Sequence, residues 1–540
     1  MFSNIIVVFC IFKNKVFGQC PEMLGTSILV SLASLIVSFV GFANQIVLAK
    51  LFGTSMSMDA YLIAISIPML VSGILSTALG SSLVPALMSH KSNLESYRRF
   101  SGLLFISMVI ISIVISGVGF TAAPAQISLL GHTLLPSAKQ DAIAIARVSW
   151  FTAGTMLIVG NLRAMHNADN RFLFSTFASL VPFVCMILAG LLFASSHGPL
   201  AVAWGMLVGF LLNIPLLLIH TSPALDFSSK CFRLWKAVTV YLSHSPLTIF
   251  AMLSFTVFQS IDAYWAPQIG TGNLAYLSYS QRIVVALGSL VIAGPATVIL
   301  PRLAAAQADG RIMDLLRDTL RALKMVVAFA LPVVLLVSIL ATPFVRLLFE
   351  RGEFDRHATQ GVAELLPLMM GGMIAMLCVV MVFKALFAKH DIFLASTLGI
   401  FTATLYFVLS GLFSLRLGVK GIALAYAITW CLIFVFSILT LWRGYIKLLL
   451  CRENFIFFGK LVVIAGVTSM VVVGVRTWIY SAVPGDVIPM LQLSMMVALF
   501  GFVYGILSIY FLRIEEIRSV FTFVTLKITV LTSKIRKKTV

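Results

Sequence analysis

Long apolar runs, each about twenty residues and nearly free of charge, recur between residues 26 and 511 with only short polar breaks between them. A bilayer core about 30 Å thick takes about 20 residues of helix. Inside it, every backbone N–H and C=O must be satisfied within the segment itself. The runs therefore predict transmembrane helices, at 26–50, 60–85, 100–121, 142–164, 173–195, 199–219, 239–262, 274–301, 324–348, 362–387, 393–414, 419–441, 457–479 and 488–511. A membrane β-barrel would instead show alternating segments of about ten residues. The expected fold is an all-α polytopic membrane protein of about fourteen transmembrane helices. Prolines inside the runs (Pro68, Pro182, Pro246, Pro295, Pro332) are tolerable there, because neighbouring helices and waters satisfy the freed carbonyls.

Composition excludes the competing classes. Hydrophobic residues make up 60% of the chain and charged residues 11%, against about 25% charged in a soluble domain. Soluble enzymes, secreted disulfide scaffolds and disordered chains are ruled out together. The net charge of +19 reads as topology, since inner loops retain Lys and Arg, and no nucleic acid is expected as a partner. With the N-terminus inside, 28 basic residues fall on the cytoplasmic side and 8 on the other, while Arg147 and Arg282 lie within spans. Both termini are therefore expected in the cytoplasm. The stretch MFSNIIVVFCIFKNKV has a short apolar run followed by a basic pair, with no small-residue cleavage site. It reads as a cytoplasmic extension (residues 1–22) ahead of Met23. The basic, apolar-interleaved tail 513–540 suits an anionic inner leaflet. None of the seven cysteines reaches an outer loop, so no disulfide is expected.

The chain also repeats itself. R163-A-M-H-N-A-D-N-R-F172 aligns with K384-A-L-F-A-K-H-D-I-F393 at an offset of 221, and L200-A-V-A-W204 aligns with I422-A-L-A-Y426 at 222. A60-Y-L62 and Pro85 pair with A275-Y-L277 and Pro301 at 215–216. Six spans followed by six more keep the same orientation, which predicts two parallel-related lobes, at 23–222 and 223–450, rocking around a substrate site between them. Residues 451–512, the last two spans, lie outside the repeat.

Charged and amide side chains within a bilayer are costly and mark function by default. Arg282, next to Gln281, lies about two turns inside the eighth span. It reads either as a phosphate clamp in a water-filled cavity or as the partner of Asp262 that holds the seventh and eighth spans together. Asn44 and Gln45 interrupt the first span and either line a cavity or bond between helices. Asp59, at the outer start of the second span, is either an N-cap carboxylate or an external gate contact. Arg147 either snorkels or lines a cavity, and Asn213 and His244 read as packing groups. No P-loop, G-x-S-x-G or H-E-x-x-H motif occurs and no large extramembrane segment is present, so neither an enzyme nor a cofactor is expected. A gradient or the membrane potential has to drive transport.

V40-GFANQIVLAKLFGTSMSMDAYLIAISIPML70, Y279-S-Q-R-I283, I299-L-P-R302, R351-G-E-F354 and K389-H-D-I392 resemble the MurJ/MviN proteins of the multidrug/oligosaccharidyl-lipid/polysaccharide exporter superfamily, over roughly residues 23–510. The resemblance implies a fourteen-helix flippase in the bacterial inner membrane. Its cargo is lipid II, the undecaprenyl-pyrophosphate peptidoglycan precursor, or a related lipid-linked oligosaccharide. It further implies a cationic central cavity holding Arg282, a lipid-tail groove at 451–512, and Asp59 at the helix 1–2 turn. Membrane lipids and cell-envelope glycan synthesis proteins are the expected partners of a monomer. The sequence departs from the family at Asn44, where an arginine is expected, at Ser72 and Gly73 in place of a basic pair, and at Thr77 in place of an acid. The superfamily also contains cation-coupled drug antiporters, and a membrane glycan polymerase or scaffold is a further alternative.

Overall fold

The computed structural model describes residues 22–221, 245–308, 311–389, 391–443, 445, 451–482, 500, 501, 503 and 504. These are helical outside short turns, and no strand occurs among them. In chain order the helices are α1 (Glu22–Phe52), α2 (Met56–Ser89), α3 (Leu94–Leu130), α4 (Pro136–Ala168), α5 (Phe172–Ala178), α6 (Leu180–His197), α7 (Pro199–Thr221) and α8 (Ser245–Thr256). They continue as α9 (Phe258–Ile269), α10 (Asn273–Ala308), α11 (Ile312–Ile339), α12 (Ala341–Phe349), α13 (Arg356–Ala388), α14 (Ile392–Leu417), α15 (Val419–Leu441) and α16 (Arg452–Ala482). Among the described residues, 12 helices are long and apolar enough to cross a membrane, and up to 13 spans result if the bent pair α8–α9 is counted as one. The expected span at 488–511 falls almost wholly outside the described residues, as do the 1–21 segment, His244 and the tail, so fourteen remains an expectation.

Three expected spans are broken helices, and proline accounts for two of the breaks. Pro182 stands three residues after the break at Ser179, and Pro343 stands three after the break at Leu340. A proline lacks the N–H that would bond four residues back, so each frees the carbonyl just before its break. The α8–α9 bend of 46° centres on Val257 and has no such proline. There the Thr256 hydroxyl donates to the Met252 carbonyl at 3.0 Å, the back-bonding that bends helices.

Many large apolar side chains are exposed. Leu415 is 83% exposed and Met470 78%, an arrangement that only hydrocarbon solvent makes favourable.

The chain divides into two compact units. The first comprises Met1–Ala286, Phe349–Leu365 and His390–Thr429. Within it α4 is the hub, packed on α2, α3 and α7, and small residues allow the close approach. A Cβ on Gly154 would meet the Ser112 hydroxyl at 2.7 Å. The Trp150 indole donates to Gln126 Oε1 at 3.0 Å, and the Gln126 amide donates onward to the Ala64 carbonyl at 3.0 Å, which ties α4, α3 and α2 together. In the same unit α14 packs on α8 and α9. Gly399 lies so close that any Cβ would run into the Phe250 backbone carbonyl. Gly399→Ala is therefore expected to destabilise the protein by about 1–3 kcal/mol, read as a lowered melting temperature in detergent. The corresponding ends of α6 and α14 share one geometry: Gly198 (φ 55°, ψ −146°) and Gly418 (φ 59°, ψ −141°) each close a helix and start the next.

The second unit comprises Leu287–Leu348, Leu366–Lys389 and Trp430–Val540. Its core sets Ala328 of α11 against Leu461, Ile464 and Val472 of α16 and against Phe500. The Tyr504 hydroxyl donates to the Ala328 carbonyl at 2.7 Å. A cavity of about 290 Å³ opens between α11, α15 and α16, lined by Leu320, Leu323, Val327, Phe434, Ile438, Asn454, Phe455 and Phe458.

Candidate substrate site

The first unit contains the chemistry-bearing side chains that the sequence singled out. α1 ends at Phe52 on Gly53, which adopts φ 53°. A side chain there would collide with the Glu353 carbonyl, so glycine is required both by the backbone and by the neighbour. The Gly53 carbonyl accepts from the Tyr279 hydroxyl of α10 at 2.9 Å. The R351-G-E-F354 turn lies against the same point: Gly352 has φ 62°, and the Glu353 N–H donates to the Lys50 carbonyl at 3.0 Å. Phe354, buried, packs on the Tyr279 ring at 5.4 Å.

Asp59 lies in the first turn of α2, but it does not cap that helix. The N-cap of α2 is Ser55. The Asp59 carboxylate instead accepts from the backbone N–H groups of Gly272 at 2.5 Å and Ala275 at 3.0 Å, at the start of α10. It is 2% exposed. A carboxylate on the free N–H groups of a helix satisfies orphan donors and complements the dipole. Here it does so for a helix more than two hundred residues away in sequence.

Arg282 lies nine residues into α10, half-buried. Its electrostatic neighbour is Tyr61 of α2, and it makes no ion pair among the described residues. The proposed Arg282–Asp262 pair does not occur. Asp262, buried on α9, accepts instead from the Tyr406 hydroxyl of α14, and the Phe258 ring packs on Tyr406 at 4.5 Å. The tight α9–α14 packing delivers that hydroxyl. Arg282 is thereby left as a span-embedded guanidinium with no carboxylate partner among the described residues, and its fork of five donors suits a phosphate.

The remaining positions divide. Asn44 is buried, with its amide 3.9 Å from the Met186 sulfur of α6, an interhelical contact. Gln45 and Gln281 are half-buried and make no hydrogen bond among the described residues. Ser72 bonds the Met69 carbonyl of its own helix at 3.2 Å. A Cβ on Gly73 would lie 3.6 Å from the Thr256 methyl, so these two positions lie in helix packing. Asn213 donates to the Ala178 carbonyl at 2.9 Å, a packing bond as expected. Arg147 is exposed, with its guanidinium 4.8 Å from the Phe120 ring centroid.

One candidate was missed. Arg163, at the inner end of the expected 142–164 span, is half-buried within α4, which continues to Ala168, and it makes no ion pair among the described residues. Lys384, its counterpart in the repeat, is likewise half-buried in α13. The available signal was the lack of any helix-breaking residue before Asp169-Asn170. Among the described residues, no three His, Cys, Asp or Glu side chains come together as a metal site.

Comparison with known proteins agrees with this architecture. The family described as "Lipid II flippase MurJ" matches residues 48–501. A probable lipid II flippase MurJ of Buchnera aphidicola is 24% identical over 426 residues, covering 76% of this chain and 81% of that protein. The lipid II flippase MurJ of Burkholderia cenocepacia is 25% identical over 372 residues, covering 65% and 70%. Among solved structures, a lipid II flippase MurJ in an inward closed conformation superposes with a TM-score of 0.73 at 19% identity, over 90% of this chain and 99% of that one. An inward-facing MATE multidrug transporter superposes at 0.66 and 16% identity, over 78% and 98%.

Proposed function

The chain belongs to the lipid II flippase MurJ family, and from that premise we propose that it carries an undecaprenyl-pyrophosphate-linked glycan precursor, lipid II or a related lipid-linked oligosaccharide, across the bacterial inner membrane by alternating access. The observation that carries the reading is the family match over residues 48–501, which spans both halves of the repeat. The protein is a transporter and not an enzyme. The MATE-type likeness reflects a fold common to the superfamily and does not favour drug export. Reconstitution tests the substrate. In liposomes loaded with lipid II on one leaflet, the protein should move it to the other. Transfer of a different polyprenyl-linked glycan with lipid II left in place would assign the cargo to that glycan.

In this reading residues 23–222 and 223–450 are the rocking lobes, and residues 451–512 form the lipid-tail groove. Arg282 takes the pyrophosphate, with Gln45 and Gln281 bordering the same cavity. Asn44 and Asp262 support it through the helix contacts they make. Asp59 is the external gate. Its two charge-assisted bonds to the start of α10 are worth about 1.5–3 kcal/mol each, and the helix dipole adds about 0.3–1 kcal/mol. A bias of a few kcal/mol is what a two-state carrier requires, since it has to be broken once per cycle. No cofactor takes part; an ion gradient or the membrane potential drives the step. The protein acts as a monomer among membrane lipids, alongside cell-envelope glycan synthesis proteins.

Both termini are placed in the cytoplasm by the basic-residue asymmetry. Reporter fusions after residues 225 and 540 should read cytoplasmic, and a fusion at 355 should read external. An external C-terminus would overturn both the orientation and the parallel relation of the lobes.

A further inference from the structure

Arg147 is a charged side chain of the α3–α4 seam that the transport reading leaves unused. It sits eleven residues into α4, about 16 Å along the helix axis at 1.5 Å per residue. α4 has 33 residues, so it is about 50 Å long and overruns a hydrocarbon core of about 30 Å by about 10 Å at each end. Centred on such a core, α4 would set Arg147 about 6 Å below the hydrocarbon boundary. Arg147 is nevertheless exposed, and among the described residues no carboxylate pairs with it. Its only partner there is the Phe120 ring of α3, 4.8 Å away, which itself packs on Phe151 at 5.8 Å. A guanidinium remains charged in any surroundings. An unpaired cation facing lipid is costly unless an anion or water reaches it. A cation–π contact contributes only about 0.5–2 kcal/mol and leaves the donor edge of the fork open. Of the residues one turn before Arg147 on α4, Ala144 is small and Ile143 is not. Phe120 and Phe151, both exposed, form an apolar floor beside the guanidinium.

We propose that Arg147, seated on Phe120, binds the phosphate diester of an anionic phospholipid in the seam between α3 and α4. The bidentate geometry of Arg toward phosphate gives the contact, and the two exposed rings pack against the acyl chains. With the orientation proposed above, the lipid belongs to the outer leaflet. The binding itself does not depend on which glycan is carried.

The test is native mass spectrometry of the detergent-purified protein titrated with phosphatidylglycerol, with thermal unfolding followed in parallel. Arg147→Gln should weaken binding of the tightest lipid about tenfold, corresponding to loss of one charge-assisted contact. Its lipid-free melting temperature should stay at the wild-type value. Arg147→Lys, which keeps the charge and the stem but loses the planar fork, should bind between wild type and Arg147→Gln and is the deciding variant if Arg147→Gln folds poorly. Inorganic phosphate should not compete. An Arg147→Gln titration that superposes on wild type, an Arg147→Lys protein that binds more weakly than Arg147→Gln, or displacement of the lipid by inorganic phosphate would each overturn the site. None of these readouts involves glycan transport, so a failed transport assay leaves this result standing, and the reverse also holds.

Discussion

Arg282→Ala should insert into the membrane at wild-type levels and lose translocation by about 30-fold to several thousand-fold. The range follows from about 2–5 kcal/mol for truncating one buried, charge-assisted contact to an anion. The effect should be large in this chain because Asn44, Ser72 and Gly73 stand where the resembling family carries further cations. In the structure Asn44 rests against Met186, Ser72 bonds its own helix, and Gly73 faces Thr256. None of them can take over the phosphate. Arg282→Lys should retain part of the activity, since it keeps the charge but loses the planar fork. Folding should be spared, because Arg282 makes no ion pair among the described residues and Asp262 has its own partner in Tyr406. Wild-type transport by a well-folded Arg282→Ala protein would remove Arg282 from the headgroup site. Loss of folding would instead assign it a structural role.

Asp59→Ala should open the external end. The substitution leaves the Gly272 and Ala275 N–H groups without their acceptor, and a buried donor left unpaired costs about 1–3 kcal/mol. The penalty falls on the clamped arrangement alone, because water satisfies those groups once the end opens. A disulfide engineered between Thr54→Cys and Thr271→Cys reports the clamp, because Gly272 lies against the Thr54 carbonyl. Its yield should fall at least about tenfold in Asp59→Ala for a shift of about 1.4 kcal/mol or more. Transport should fall with it. Asp59→Asn keeps an oxygen acceptor but loses the charge and should lie between the two. An unchanged cross-linking yield in Asp59→Ala would reduce the carboxylate to a static cap.

Much of the architecture was legible in the chain itself. Hydropathy is a sum over contiguous residues, so the all-helical membrane fold and the positions of the spans follow from the sequence with no knowledge of contacts. Local chemistry bears on two of the helix breaks, at Ser179 and Leu340, each three residues before a proline, although Pro182 reads in sequence as tolerated within an unbroken span. The motif R351-G-E-F354 could be recognised as a family signature, although nothing local says that Gly352 and Glu353 rest against Lys50. The inner end of the fourth span was set too early for a related reason. A hydropathy window ends where charge begins, whereas the helix continues to Ala168, where Lys91 donates to the last carbonyl at 2.7 Å.

The partners of the buried charges were beyond the sequence. Asp262 could be seen as a carboxylate in need of a partner, and Arg282, twenty residues on, was the obvious candidate. The fold supplies Tyr406 instead, from a helix 144 residues away. Asp59 reads in sequence either as a cap of its own helix or as a gate contact, yet it caps α10, whose bonded N–H groups lie 213 and 216 residues downstream. A span's existence is decided by transfer of its own residues from water to hydrocarbon, which the sequence states outright. A buried charge is decided by whichever donor the packing brings within 3 Å, and that choice exists only once distant helices have met.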